Sequence, residues 1–334
     1  MPRSSTPVLE GEAIKPASVE TVALKCPLGV GPATMELVQC VPNVSEGRRE
    51  AIIDAIVATL DDHDVEVLDV SPDPDHNRTD VTFVGTPAAV EDAAFDLALA
   101  AVDRIDMTGH EGEHPRMGAV DVVPFVPVRG VSMDDCIALA RSFAERFAAA
   151  TDVPTYLYEA AATRPDRENL AAIRRGEFEG LREAIGTDPA REPDFGPERI
   201  HPSAGATAVG ARFFLVAFNV NLDTDDVEVA DAIARAVRHS SGGYRHVKAM
   251  GFEIRERGLV QVSMNMTDYR HTPLFRVFET IRSEAARHGV DVVGSEIVGP
   301  VPLAPLVDAA EHYLRLEDFD DEQVLEARLL EGMA

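Results

Sequence analysis

Tryptophan is absent from this chain of 334 residues, and lysine occurs only at Lys15, Lys25 and Lys248. Arginine therefore supplies nearly all of the 31 basic residues. Because the chain has 58 acidic residues, its formal net charge is −27 at pH 7. So acidic a surface excludes nonspecific nucleic-acid binding and attachment to an anionic membrane, because both need a basic footprint. Abundant carboxylate with scarce lysine is typical of salt-accumulating archaea, where counterions screen the repulsion between acidic groups. We therefore predict a halophilic protein, with an ordinary acidic enzyme as the alternative.

Cysteine is equally scarce, since Cys26, Cys40 and Cys136 are the three in the chain and lie far apart. That spacing excludes both a disulfide framework and a CxxC metal site. No apolar run approaches the roughly 20 residues of a membrane-spanning helix, and residues 1–34 lack the apolar core of a secretory signal. We therefore expect reduced thiols, no membrane partner and a cytoplasmic location.

Length and composition predict two compact units, because 334 residues with 45% hydrophobic side chains exceed one typical domain and fill two cores. Residues 1–34 mix proline, serine, glycine and glutamate without periodicity, which predicts a disordered extension. The stretch 188–205 carries proline and glycine and is interpreted as a linker. The expected units are therefore residues 35–204 and 205–334.

In the first unit, strand-like and helix-like runs alternate, which favours α/β layering. Strands are expected over 37–42, 65–70, 81–85, 120–128 and 154–158. Helices are expected over 48–60, 87–105 and 133–149.

The second unit opens with a strand over 213–222, in which Phe218 and Val220 share one face and Asn219 and Asn221 the other. The order that follows is βαββαβ, the ferredoxin-like split βαβ pattern. Its remaining expected elements are a helix over 225–238, strands over 247–255 and 259–266, a helix over 273–288, a strand over 290–293 and an acidic terminal helix over 318–330. The fold class is therefore predicted as α/β, with two ferredoxin-like sandwiches and a substrate cleft between them. The polar face of the strand over 259–266 is either solvated or turned toward the first unit.

Residues 112–119 read GEHPRMGA and set a histidine, His114, between a carboxylate and a guanidinium. Histidine exchanges a proton near neutral pH, because its unperturbed pKa is about 6.5. In a turn stiffened by Pro115, such a residue is a candidate acid/base catalyst, whereas a lone loop histidine is more commonly a plain surface residue.

Nine segments follow one another along the chain: VQCVPNVSEG (38–47), NRT (77–79), GEHPRMGA (112–119), PDFGP (193–197), GATA (205–208), GAR (210–212), NVNL (219–222), GSE (294–296) and VG (298–299). Together and in this order, they resemble the glutamate formimidoyltransferase family. The family moves a formimino group from N-formimino-glutamate to N5 of tetrahydrofolate in histidine breakdown, and its members associate as dimers. The resemblance implies that His114 is the general acid/base, that tetrahydrofolate is the co-substrate and that the chain forms a homodimer. Glu113 either orients the histidine or forms a helix cap or surface pair.

Both implied substrates are anionic, and arginine offers a planar fork for carboxylate groups. Two or three of six arginines in or beside the family-like segments are expected to touch ligand: Arg78, Arg116, Arg129, Arg174, Arg175 and Arg212. A pterin ring needs hydrogen bonds in its plane, which amide side chains supply. The candidates for that role are Asn43, Asn219 and Asn221.

The chain departs from the family at Ser71, because members commonly read LDVDPGP where residues 68–74 here read LDVSPDP. If the missing carboxylate assists the histidine, Asp69 or Asp73 must replace it. Residues 110–114 also match the zinc signature H-x-x-E-H, which needs a helix that Gly112 opposes, so no metal is expected. The alternatives are a folate enzyme acting on 5-formyl-tetrahydrofolate, a zinc-dependent formiminoglutamate hydrolase and a catalytically silent folate-binding protein.

Overall fold

A computed structural model describes residues 36–112, 115–319, 323–325 and 327–328. These residues form two β-sheets and eight α-helices. In the same ranges, no helix is both long enough and apolar enough to cross a membrane. The expected extension over residues 1–34 lies outside the described residues, as do Glu113, His114 and much of the expected terminal helix.

The first sheet has seven strands, in the spatial order β3, β4, then β1 and β2 end to end in one position, then β5, β7 and β6. Pairs among β1 to β5 are antiparallel, whereas β7 is parallel to both β5 and β6. The strands are β1 (Leu37–Cys40), β2 (Asn43–Val44), β3 (Val65–Asp73), β4 (Arg78–Gly85), β5 (Val120–Arg129), β6 (Thr155–Glu159) and β7 (Thr207–Ala211).

Five helices accompany this sheet, and they are α1 (Glu50–Val57), α2 (Pro87–Arg104), α3 (Met133–Thr151), α4 (Leu170–Ile173) and α5 (Glu177–Ala184). The start of α3 is fixed by a capping box, in which Ser132 Oγ accepts from the Asp135 amide and the Asp135 carboxylate accepts from the Ser132 amide. Phe125 of β5 packs edge-on to Phe143 of α3, with 5.9 Å between ring centroids, so α3 covers one face of the sheet.

The first subdomain confirms the ferredoxin-like expectation and extends it. Its order β1/β2, α1, β3, β4, α2, β5 is a βαββαβ unit, with β3 and β4 beside β1/β2 on one side and β5 on the other. To this unit the chain adds α3, β6, α4, α5 and β7. The short helices α4 and α5 have no counterpart among the sequence predictions.

Strand β7 moves the boundary between the two units. It is buried along its whole length and inserts between β5 and β6, so it belongs to the first sheet. The division at residues 204 and 205 therefore assigned β7 to the wrong unit, and the boundary falls between Ala211 and Val216. A short strand that is buried along its whole length carries no periodicity that would show which sheet it joins.

The second sheet confirms the predicted split βαβ pattern. Its strands are β8 (Val216–Leu222), β9 (Val247–Ile254), β10 (Leu259–Met266) and β11 (Val292–Val298). The spatial order is β11, β8, β10, β9, and every pair is antiparallel. Two predicted helices, α6 (Val227–Val237) and α7 (Leu274–Arg287), bury Ile233 and Ile281 in the same core as Val220 and Val262. The sequence did not predict α8 (Leu303–Leu314), which packs against α7.

Each sheet has a second face that carries polar side chains. On β4, Val81 and Phe83 enter the core, so Arg78, Asp80 and Thr82 point to the opposite side. The alternation on β8 places Ala217, Asn219 and Asn221 on the face away from α6 and α7 by the same rule. These two polar faces border the site described next.

Candidate active site

A pocket of about 630 Å³ lies between the two subdomains. From the first subdomain it takes polar side chains of β1 to β4, the ends of β5 and β6, and the segment around α4. From the second it takes the start of β8 and parts of β9, β10 and the end of β11. Its polar and charged lining residues are Gln39, Asn43, Asp69, Ser71, Arg78, Asp80, Thr82, Tyr158, Glu159, Arg174, Arg175, Glu177, Arg212, Lys248, Asn265 and Thr267.

The lining of this pocket is far less acidic than the chain as a whole. Five cationic and four acidic side chains line it, for a formal charge of +1, although the whole chain carries −27. The cations are Arg78, Arg174, Arg175, Arg212 and Lys248. A locally positive cavity in an acidic protein concentrates anionic ligands.

Arg174 is the most constrained of these cations. Its Nη2 forms an ion pair with Asp121, and the two side chains are 13% and 5% exposed. Its Nε is buried and finds no hydrogen-bond partner among the described residues. A buried donor without an acceptor costs free energy, so a hydrogen bond from this N–H to a ligand oxygen would relieve that cost. Asp121 also accepts from the Met117 amide at 2.8 Å, which ties Arg174 to the segment that follows the histidine turn.

Asn77 forms hydrogen bonds with the two residues that precede the histidine turn. Its Nδ2 donates to the Glu111 carbonyl at 2.9 Å, and its own carbonyl accepts from His110 Nε2 at 2.9 Å. Asn77 itself has φ of +49°, a left-handed conformation that asparagine tolerates. A Cβ on Gly112 would lie 2.3 Å from the His76 carbonyl oxygen, so only glycine allows the two loops to approach this closely.

Glu113 and His114, the predicted catalytic pair, lie outside the described residues. Their covalent neighbours on both sides are described. Gly112 is fixed against the loop of His76, and Pro115 lines the pocket.

Arg116, predicted to bind substrate, is engaged within the protein instead. Its Nη1 donates to Glu177 at 2.6 Å, and its Nη2 donates to Glu179 at 2.8 Å. Its Nε donates to His110 Nδ1 at 3.4 Å, so both ring nitrogens of His110 have partners. Arg116 is not among the residues that line the 630 Å³ pocket. The geometry favours a structural role for Arg116 and His110. Residues 110–112 and 115–117 are not helical, so the described part of the H-x-x-E-H match lacks the helix that this zinc signature needs.

The other predicted binding residues divide into two groups. Asn43, Arg78, Arg174, Arg175 and Arg212 line the pocket. Arg129 stands at the far end of β5, and it does not line the pocket, nor do Asn219 and Asn221.

The two asparagines of β8 are buried in a hydrogen-bonded network on the polar face of the second sheet. Asn219 Nδ2 donates to Glu296 at 3.0 Å, and Asn221 Oδ1 accepts from Gln261 at 2.9 Å. Ala217 precedes Asn219 by two residues and does line the pocket. The polar face therefore reaches the first subdomain at one end, and the asparagines lie farther along it.

The position of Ser71 clarifies which carboxylate stands near it. Ser71 Oγ donates to Asp69 Oδ2 at 2.9 Å, and both side chains line the pocket. Asp73 instead accepts from the His76 amide at 2.9 Å and from His76 Nδ1 at 2.6 Å. Burial alone would raise the pKa of Asp73, but these hydrogen bonds lower it below its usual range. Asp69 is thus the carboxylate that faces the pocket in the segment that departs from the family pattern.

Sequence reasoning missed several lining residues, among them Glu159, Tyr158 and Lys248. Glu159 has φ of +54°, and burial raises its pKa although Lys248 and Arg212 oppose that shift. Burial raises the pKa of Tyr158 to about 12. Lys248 is the one lysine after residue 25 in the sequence, but that rarity does not place it in the pocket.

The two halves of the chain match two family descriptions in turn. Residues 37–212 match the formiminotransferase domain, N-terminal subdomain, and residues 217–329 match the formiminotransferase domain. The junction between the two matches coincides with the boundary seen between β7 and β8.

Similar proteins carry matching names. A glutamate formimidoyltransferase of Streptococcus pyogenes is 49% identical over 297 residues, which cover 88% of this chain and 99% of that protein. A glutamate formimidoyltransferase of Thermoplasma acidophilum is 47% identical over 300 residues, covering 88% of this chain and 98% of that protein. A formimidoyltransferase-cyclodeaminase of Rattus norvegicus is 46% identical over 285 residues, covering 83% of this chain and 52% of that protein. By both of its halves, this chain belongs to the formiminotransferase family.

Proposed function

We propose that the protein is a glutamate formimidoyltransferase, which transfers the formimino group of N-formimino-L-glutamate to N5 of tetrahydrofolate. The similarity to the two glutamate formimidoyltransferases over nearly their full lengths supports the reaction class. The binding of an anionic substrate rests on Arg174, which lines a locally positive pocket and whose buried Nε has no partner among the described residues. The cavity of about 630 Å³ also falls in the range of small-molecule sites.

The chemistry needs proton transfer and no redox step. Folate N5 attacks the amidine carbon and forms a tetrahedral centre, the attacking nitrogen loses its proton, and the glutamate nitrogen gains one as it leaves. His114 takes and returns that proton in this proposal, and general acid/base catalysis contributes roughly 10² to 10⁴ in rate. The fixed position of Gly112 and the place of Pro115 in the pocket lining support this assignment. Glu113 is proposed to orient the imidazole.

The cationic and the amide side chains of the lining suggest two separate binding roles. Arg174, Arg175, Arg212 and Lys248 are proposed to hold substrate carboxylates, because charge-assisted hydrogen bonds to carboxylate are among the stronger polar contacts. Asn43 is proposed to bind the pterin in the ring plane.

The test mixes protein, N-formimino-L-glutamate and tetrahydrofolate, and converts the product to the absorbing methenyl form with acid. We expect glutamate release to equal folate product and to stop when tetrahydrofolate is omitted. Glutamate release without folate would instead favour a zinc-dependent hydrolase. Product from 5-formyl-tetrahydrofolate alone would favour the alternative folate enzyme, and folate binding without turnover would favour a silent binding protein.

We further propose that the protein is a halophilic, cytoplasmic homodimer with small-molecule partners and no nucleic-acid or membrane partner. The charge of −27 supports the halophilic part, and the family resemblance supports the dimer. Sedimentation equilibrium in molar KCl measures the mass directly, and a single species at 36.1 kDa would contradict the dimer.

A further inference from the structure

A cluster of two histidines and one aspartate lies in the second subdomain, next to the lining residue Thr267 but without lining the pocket itself. His246 directly precedes β9, and Asp268 and His271 belong to the turn between β10 and α7. One ligand atom from each of the three side chains lies within 4.8 Å of the other two. The two imidazole rings are 5.5 Å apart between centroids.

The backbone fixes the two segments that carry this cluster. The Thr267 amide donates to the His246 carbonyl at 2.9 Å, and Thr267 Oγ1 donates to the same carbonyl at 3.3 Å. His246 itself has φ of +68°, a left-handed conformation that is uncommon for a residue other than glycine. The position of His246 beside Asp268 is therefore set by the fold.

Imidazole nitrogen and carboxylate oxygen are the ligands that zinc-class ions accept, and three protein ligands with one solvent molecule make a common open site. In a tetrahedral site with bonds of about 2.0 to 2.1 Å, ligand atoms lie about 3.3 Å apart. His271 Nδ1 and Asp268 Oδ2 are already 2.9 Å apart. Since the His271 side chain is 70% exposed, it can shift by the ångström or so that an inserted ion requires.

The neighbouring cation, Arg270, does not close the site. Its Nε donates to Asp268 Oδ1 at 3.1 Å and its Nη2 donates to Asp268 Oδ2 at 3.0 Å. Its side chain is 47% exposed and its guanidinium also stacks over the Phe213 ring at 3.6 Å, which gives it a second partner. Metal binding at Oδ2 would replace the proton that His271 shares with Asp268, so the carboxylate keeps the Arg270 contact to Oδ1.

We propose that His246, Asp268 and His271 bind one divalent ion of the zinc class, with solvent in the remaining coordination position. None of the three ligands lines the pocket, so metal binding can be measured without reference to formimino transfer.

The experiment titrates the full chain, stripped of metal by a chelator and dialysis, with Zn²⁺ by calorimetry and with Co²⁺ by visible absorption. We expect one ion per chain, a cobalt spectrum of four-coordinate type, and a rise in melting temperature with metal. His271→Ala and His246→Asn should each weaken Zn²⁺ binding at least tenfold, and asparagine keeps the left-handed backbone at position 246 tolerable. His288→Ala, which removes an exposed histidine outside the cluster, is the matched control and should bind as the wild type does.

Two results would overturn the proposal. One is the lack of a stoichiometric Zn²⁺ or Co²⁺ complex in the wild-type chain. The other is binding that persists undiminished in His271→Ala, since that exposed side chain contributes little to folding and its removal tests the site alone.

Discussion

Replacing Arg174 with lysine separates substrate binding from the folding role of the same side chain. Lysine keeps a positive charge beside Asp121, which is 5% exposed and would be costly to leave unpaired. A single ammonium group cannot hold Asp121 and also replace the second donor, arginine Nε, which we propose binds the substrate. The Arg174→Lys variant should therefore fold but bind a carboxylate-bearing substrate less well.

The size of that loss follows from the contact that disappears. A hydrogen bond to a charged group contributes about 1.5 to 3 kcal/mol, and every 1.4 kcal/mol changes an equilibrium constant tenfold. The expected rise in KM is therefore roughly tenfold to 150-fold for formiminoglutamate or tetrahydrofolate. Initial rates with each substrate varied in turn, at saturating concentration of the other, measure both constants.

The matched control is Arg282→Lys, because Arg282 pairs with Glu279 on the exposed side of α7 and is 61% exposed. Its two KM values should equal those of the wild type. If Arg174→Lys keeps a normal melting temperature and changes neither KM by more than about twofold, the unpartnered Nε of Arg174 does not bind substrate and the assignment of the pocket fails.

Three other predictions concern charge and metal. The screening length falls from about 10 Å at 0.1 M salt to 3 Å at 1 M, which weakens repulsion between the acidic side chains. The melting temperature should therefore rise through the molar KCl range, and a constant melting temperature would refute the halophilic account. Removing metal with a strong chelator should leave the initial rate unchanged, since the described zinc-like cluster does not line the pocket; loss of turnover that Zn²⁺ restores would contradict this. Burial would raise the pKa of Glu46, but hydrogen bonds from the Arg48 and Arg49 amides lower it below its usual range. The ionised carboxylate therefore stabilises the native state at neutral pH, and this stabilisation is lost as acid protonates it. Glu46→Gln should thus melt below the wild type at pH 7, and the difference should shrink below pH 4; a difference independent of pH would count against this role.

The fold of the second subdomain was readable from sequence because its elements keep strict periods. The strand over 259–266 alternates polar and apolar side chains, and the structure places β10 at those residues. Strand β7 and helix α8 were not readable in the same way. The residues of β7 are all buried and show no alternation, and α8 follows two prolines at its start rather than a polar cap.

The candidate site was predicted less completely, because a sequence does not show which partner a charged side chain has. Arg116 and Arg174 carried the same signal, an arginine near a family-like segment. In the structure, Arg116 forms ion pairs with Glu177 and Glu179, whereas Nε of Arg174 has no hydrogen-bond partner among the described residues. Lys248 reaches the pocket through the packing of the two subdomains, which local patterns cannot reveal.

The most direct test of the proposed mechanism is kcat of His114→Ala at saturating concentrations of both substrates, with the folate dissociation constant and melting temperature measured in parallel. We predict a fall in kcat of roughly 10² or more, with folate affinity little changed, because the imidazole transfers a proton and does not hold the pterin. His110→Ala is the comparison, because the ring nitrogens of His110 contact Asn77 and Arg116. Its loss should lower the melting temperature and reduce kcat less than His114→Ala does. A His114→Ala protein that folds normally and turns over near the wild-type rate would contradict the account.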